Sequence, residues 1–155
     1  MVDQWLVFLQ HTEKMKIINN CIEKKLQDDL YELLLGKRIF PWYFSPDITD
    51  GIKDVGEQKR PALHHYFIDD DKGAVSNFLN TTTLAPLMAM NSDHMNVMRM
   101  VTFLQFPTDI KTIDSPHIDR DDPHTVLLYY VCDSDGDTVF YKNNKIIKRV
   151  TPKKG

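Results

Sequence analysis

A histidine and an aspartate stand two residues apart in His117-Ile118-Asp119. In extended backbone, side chains at i and i+2 point to the same face. An imidazole nitrogen and a carboxylate oxygen at that spacing can converge on one ion, and that donor pair suits Fe(II), Mn(II) or Zn(II). The same triplet also occurs in solvated loops, and Arg120, Asp121, Asp122 and Pro123 just downstream have that character. A third ligand must come from elsewhere. His124, five residues past Asp119, has the wrong parity for the same face of a regular strand, which a bulge would change. His64, His65 and His94 are the other candidates. His64 and His65 are adjacent, so in a strand at most one faces inward, and the ordinary reading is a half-exposed pair.

The elements that must position these donors can be read from periodicity. Apolar residues recur at steps of three and four over residues 13–35, which predicts an amphipathic helix with Thr12 as N-cap and Gly36 just past its end. Residues 5–9 (WLVFL) before it predict a strand. Residues 40–46 (FPWYFSP) are aromatic and bounded by prolines, hence irregular or extended. Residues 47–62 read as a long exposed loop and 63–68 as a short strand. Residues 76–91 read as a second helix, interrupted by Pro86. From residue 97 the pattern is β: strands over 97–106, 117–131 (core 126–131), 137–141 and 146–150. Turns at 133–136, 143–144 and 151–155 punctuate them. Helices first and antiparallel strands later indicate α+β.

Several other residues carry both a chemical and an ordinary reading. Arg99 lies in an apolar strand and pairs with an acid inside or faces solvent outside. Trp42-Tyr43-Phe44 line a cleft mouth or anchor a loop. Met88, Met90, Met95, Met98 and Met100 read as flexible packing. Cys132 reads as a small buried hydrophobe, and Asp69-Asp70-Asp71 as a solvated turn.

The 155 residues, 42% apolar and 26% charged, fit one globular domain over 1–155. A net charge of −3 speaks against general nucleic-acid binding. Cys21 and Cys132 form no CxxC, which excludes a disulfide scaffold and a zinc finger. No apolar run approaches the ~20 residues of a membrane span. The N-terminus lacks the basic start and cleavage site of a signal peptide. A cytoplasmic location is the expectation.

Residues 116–155 (PHIDRDDPHTVLLYYVCDSDGDTVFYKNNKIIKRVTPKKG) resemble the core of the 2-oxoglutarate- and Fe(II)-dependent oxygenases. They look most like the prolyl-hydroxylase-related branch found in bacteria and phages. The features are His117-x-Asp119, then Leu128-Tyr129-Tyr130-Val131, an Asp-Gly-Asp-Thr turn at 135–138, Phe140-Tyr141 and a closing Pro-Lys-Lys-Gly turn. Looser similarity extends to residues 40–44 and 99–107.

This resemblance implies a double-stranded β-helix, or jelly roll, with N-terminal helices packed against it. It implies Fe(II) and 2-oxoglutarate as cofactors, and a hydroxylase acting on a peptidyl side chain or a small metabolite. His117 and Asp119 match the first two metal ligands. Tyr129 and Tyr130 alternate faces. Tyr129 is the one assigned to the bound oxo acid, against an alternative of core packing with the hydroxyl at the rim. In the family a second histidine, and a basic partner for the distal carboxylate of 2-oxoglutarate, follow the Pro-Lys-Lys-Gly turn. This sequence ends at Gly155, before both. Three explanations stay open: a fragment lacking its C-terminal strands, a non-catalytic jelly-roll binding or structural module that has lost the triad, or a site completed by another histidine. A cupin-like use of another metal is a further option, although cupins place more histidines in their first motif. Missing strands would expose sheet edges, so self-association is expected.

Overall fold

Side-chain periodicity accounts for most of the elements, and its failures mark where the chain is held by other means. The computed structural model describes residues 6–8, 15–36, 39–48, 60–89, 96–107, 116–117, 119–120 and 122–155. In chain order the elements are β1 (Leu6–Phe8), α1 (Lys24–Leu35), β2 (Tyr43–Ser45), β3 (Ala62–Asp69), β4 (Gly73–Ala74), α2 (Thr81–Met88), β5 (Met100–Gln105), β6 (Thr138–Lys142) and β7 (Lys145–Val150). The protein is mixed α+β with two separate sheets.

Helix α1 buries Gln27, Leu30 and Leu34. It begins at Lys24, not near residue 13. Asn20 sits in the left-handed region at φ 53, which stops a right-handed helix from running through it. Ile17 and Ile18 upstream are exposed. Buried Gln27 anchors this irregular lead-in: its Nε2 donates to Ile22 O at 3.0 Å and to Asn20 Oδ1 at 3.3 Å. The expected N-cap at Thr12 lies outside the described residues. Gly36 ends the helix in an extended conformation, at φ −82, and not in the left-handed one. A Cβ there would collide with Glu32, so the glycine is required by close approach.

Helix α2 begins at Thr81 because Asn80 caps it. The Asn80 Oδ1 accepts from the backbone N–H of Thr82 at 2.9 Å and of Thr83 at 3.2 Å, and Thr83 Oγ1 accepts from the Asn80 N–H at 2.9 Å. Residues 76–80, expected to be helical, form the turn and cap instead.

The first sheet is antiparallel and centred on β3, with β5 along one side and β2 and β4 along the other. Strand β2 falls in the proline-bounded stretch expected to be irregular or extended. The second sheet has the order β1-β6-β7, with β1 parallel to β6 and a β6–β7 hairpin. Its turn residues Asn143 and Asn144 both have positive φ, 51 and 58, as a tight two-residue hairpin requires. Leu30, Leu34, Phe40 and Phe67 form the core, with Trp42, Phe78, Met100, Tyr129 and Val131 packed against them.

The strand expected over 117–131 is not formed. Its described residues run without ladder pairing. Side chains still alternate, with Tyr129 and Val131 on the core and the Tyr130 hydroxyl donating to Thr138 Oγ1 at 2.7 Å. A β-ladder needs a neighbouring backbone as well as a pattern. Here the neighbour is the 151–155 segment, which supplies isolated bonds: Gly155 N–H to Tyr130 O at 3.1 Å and Ser134 N–H to Pro152 O at 3.4 Å. Among the described residues, no helix is long and apolar enough to cross a membrane.

Candidate functional site

Strands β3 and β5 build one wall of the site. His64 and Tyr66 lie two apart on β3, and their cross-strand partners are Phe103 and Val101 on β5. All four line a broad trough of about 1280 Å³, as do Arg99, His117, Asp119 and Trp42. That volume exceeds the roughly 300–1,000 Å³ of ordinary small-molecule pockets, so the trough has room for more than a compact ligand. His64 meets Tyr66 edge-on and Phe103 at a tilt, at ring separations of 5.4 and 6.4 Å. Burial, and secondarily the neighbouring His65, push its pKa below the ordinary histidine value.

His117 and Asp119 meet in this wall. His117 Nε2 lies 3.8 Å from Asp119 Oδ1, with side-chain exposures of 9% and 29%. Two donors about 2.1 Å from a shared ion sit roughly 3–3.5 Å apart, so a small rotation would bring both onto one metal. The nitrogen–oxygen donor set fits a first-row ion such as Fe(II). Among the described residues, no third histidine, cysteine or carboxylate joins them in a cluster. The convergence expected from the i, i+2 spacing is therefore present, while the strand expected to produce it is not.

Arg99, immediately before β5, reaches the same oxygen: its Nη2 lies 3.8 Å from Asp119 Oδ1. Arg99 thus combines the two readings: it pairs with an acid, and it does so from an exposed position. Arg120 ties the donor loop to the rest of the fold. Its Nε donates to Asp122 Oδ1 at 2.8 Å, and its Nη1 lies 3.5 Å from Asp70 Oδ2 in the turn between β3 and β4. These contacts hold the Arg120 pKa above, and that of Asp122 below, their ordinary values, the hydrogen bond being the main cause in each. Sequence alone gives neither arginine a definite role. The parity of Arg99 with Val101 and Phe103 is the signal it does carry.

The remaining histidines go elsewhere. His65 is buried, at 5% exposure, not half-exposed. Its Nδ1 lies 2.8 Å from Pro41 O and its Nε2 lies 2.7 Å from Ser76 Oγ. The carbonyl can only accept, so Nδ1 carries the proton and the Ser76 hydroxyl donates to Nε2. Phe40, Phe67 and Phe78 surround the ring. His65 thus welds β3 to the segments before β2 and α2. His124 Nδ1 bonds Asp122 O at 2.7 Å within its own turn. His94 lies outside the described residues.

Tyr129 is packed against the α1 core, and its hydroxyl is buried with no hydrogen-bond partner among the described residues. Its pKa is pushed up to about 12, first by burial and then by the Cys21 and Asp28 negative forms on the α1 side. Tyr130 also titrates above its ordinary value because of burial. Cys132 is half-buried and in no disulfide, as is Cys21. Met100 packs on the core, Met88 and Met98 are exposed, and Met90 and Met95 lie outside the described residues. Asp69 Oδ1 caps the solvated turn by accepting from the Asp71 and Lys72 N–H groups. Tyr43 and Phe44 are exposed on β2, and Trp42 lines the trough.

No protein-family model, curated protein or solved structure matches the chain. Function must be argued from the site and from the order of its motifs.

Proposed function

We propose that this chain is a jelly-roll domain of an Fe(II)- and 2-oxoglutarate-dependent dioxygenase that hydroxylates a peptidyl side chain or a small metabolite in the cytoplasm. The observation that carries the reading is the approach of His117 Nε2 to Asp119 Oδ1, in the wall of a trough large enough for cosubstrate and substrate together. When bound, the iron supplies the oxidative chemistry: 2-oxoglutarate, O₂ and R–H become succinate, CO₂ and R–OH.

The chain's own residues bind, orient and exclude. His117 and Asp119 offer one lone pair each to the ion. Arg120 holds the donor loop in place through Asp122 and Asp70. His64, Tyr66 and Phe103 form an aromatic wall that keeps water from one side of the trough. Tyr129 offers a hydroxyl that no described residue satisfies and that a ligand oxygen would.

The test is an anaerobic titration with Fe(II) and 2-oxoglutarate, read by the visible charge-transfer band of the chelate. Saturable binding by the wild type, abolished in His117→Ala, is the expected result. Absence of any band refutes the reading. A second reading is favoured by one observation: Arg99 already neutralises Asp119, and only two metal donors converge among the described residues. In that case the fold is a non-catalytic binding module, and His117→Ala changes neither metal content nor ligand affinity.

A further inference from the structure

Among the described residues, Arg99 is the least satisfied cation beside His117 and Asp119. A guanidinium carries five N–H donors. Among the described residues, the only polar partner of Arg99 is Asp119, and the 3.8 Å separation is an ion pair beyond hydrogen-bonding reach. The side chain is 37% exposed and faces the trough. Arg120 next door is different, because its guanidinium is engaged by both Asp122 and Asp70.

Charge balance constrains the ligand. Asp119 Oδ1 is approached by Arg99 and by His117, so a metal held by His117 and Asp119 lies close to the guanidinium. Counting Arg99, His117 and Asp119 among the described residues, one carboxylate then faces a dication and a monocation, which leaves two positive charges uncompensated by these groups in a partly desolvated wall. Like charges at such range repel strongly where water is scarce. An anion that touches both resolves this. The planar fork of arginine matches a carboxylate in bidentate fashion.

We infer that Arg99 is a carboxylate-binding residue of the trough, receiving an acidic group of the ligand that lies beside His117 and Asp119. This deepens the dioxygenase reading and rests on it for the charge balance and the metal-loaded measurements, whereas the unfilled guanidinium fork does not depend on it. Two sources share the chemistry: the distal carboxylate of 2-oxoglutarate, or a carboxylate of the molecule to be oxidised.

The experiment compares wild type, Arg99→Met and Arg99→Lys. Co(II) affinity is read from visible absorbance without any anion. Calorimetry then gives the affinities for 2-oxoglutarate and for succinate, with and without Co(II). Arg99→Met is expected to weaken carboxylate binding on the order of 10- to 100-fold, the usual loss for a charge-assisted contact, with partial recovery in Arg99→Lys. Co(II) affinity without anion is expected to hold or rise. Succinate keeps the distal carboxylate of 2-oxoglutarate, so loss for both, with each anion displacing the other, identifies the cosubstrate as the source, whereas loss of succinate binding measured on protein already saturated with 2-oxoglutarate identifies a site for a carboxylate of the molecule to be oxidised. Unchanged affinity for both anions overturns the inference. So does a fall in Co(II) affinity matching that for the anions, because Arg99 would then merely brace Asp119. If the wild type binds no Co(II), the dioxygenase reading fails alone, and the metal-free succinate comparison still tests Arg99.

Discussion

Tyr129→Phe separates packing from ligand binding at a single atom. The Tyr129 hydroxyl is buried against the α1 core and has no partner among the described residues, whereas the ring itself packs on the cluster of Leu30, Leu34, Phe40 and Phe67. Phenylalanine keeps the ring and removes the stranded oxygen. A buried polar group without a partner costs roughly 1–3 kcal/mol. Taking the lower end, Tyr129→Phe should stabilise the free protein by about 1 kcal/mol, or raise Tm by about 2–4 °C for a domain of this size. The substitution also has a pH signature. The pKa of Tyr129 is raised to about 12 in the folded state, from an ordinary 10. The folded state therefore disfavours the phenolate. The stability tied to this group is fully present below pH 10 and is lost as pH rises from 10 through 12. Thermal melts of the two proteins should diverge near neutrality, and the alkaline decline should be shallower in Tyr129→Phe. Calorimetry with 2-oxoglutarate on the Co(II) form should show the opposite trend, with weaker binding in the stabilised variant. A variant that is less stable than wild type at neutral pH would refute the argument, because the hydroxyl would then have a partner.

Two further outcomes rest on contacts away from the trough. His65→Phe preserves ring volume but strands the Pro41 carbonyl and the Ser76 hydroxyl, so urea unfolding should show a loss of about 2 kcal/mol. Ser76→Ala should lose less, and the double mutant should fall short of the sum, since the two residues share one bond. Strand β7 is bonded on one side only among the described residues, and it exposes Ile146 and Ile147. An open apolar edge invites pairing with a second copy. Sedimentation equilibrium should show a concentration-dependent dimer that Ile147→Lys weakens, and a wild-type monomer at the highest soluble concentration would refute it.

Strands β3, β5, β6 and β7 were legible because β-branched and aromatic residues alternate within them and clear turn residues bound them. The Asn143-Asn144 turn was legible for the same reason. Two misreadings and one incomplete reading have separate physical causes. The apolar spacing through residues 15–22 matches a helix, but Asn20 takes positive φ and Gln27 folds back onto the lead-in. Strand β2 has too short a run between prolines to announce itself, and it exists because β3 offers it a partner at His64, Leu63 and Ala62. Residues 126–131 alternate as a strand does, yet no described neighbour pairs with them in a ladder. Within the site, the His117–Asp119 convergence was readable from spacing alone. The burial of His65 was not, because its two partners lie 24 and 11 residues away in sequence.

The donor segment raises a question of rigidity. Catalytic groups are best held on ladders, where hydrogen bonds fix them to within a fraction of an ångström. Here His117 and Asp119 lie on backbone without ladder pairing, steadied by Arg120 on Asp70 and Asp122 and by Tyr130 on Thr138 and Gly155. Such a segment opens at lower free energy than the sheet behind it. An ion shared by His117 and Asp119 would do for this segment what cross-strand bonds do for β3, and part of the binding free energy would go into ordering it. The consequence is directional. Metal affinity should be lower than that of a preformed site with the same donors. Whatever else orders the segment, whether a carboxylate on Arg99 or a strand laid along residues 126–131, should raise it. Metal and acidic ligand would then bind with positive cooperativity, each completing the structure that the other needs.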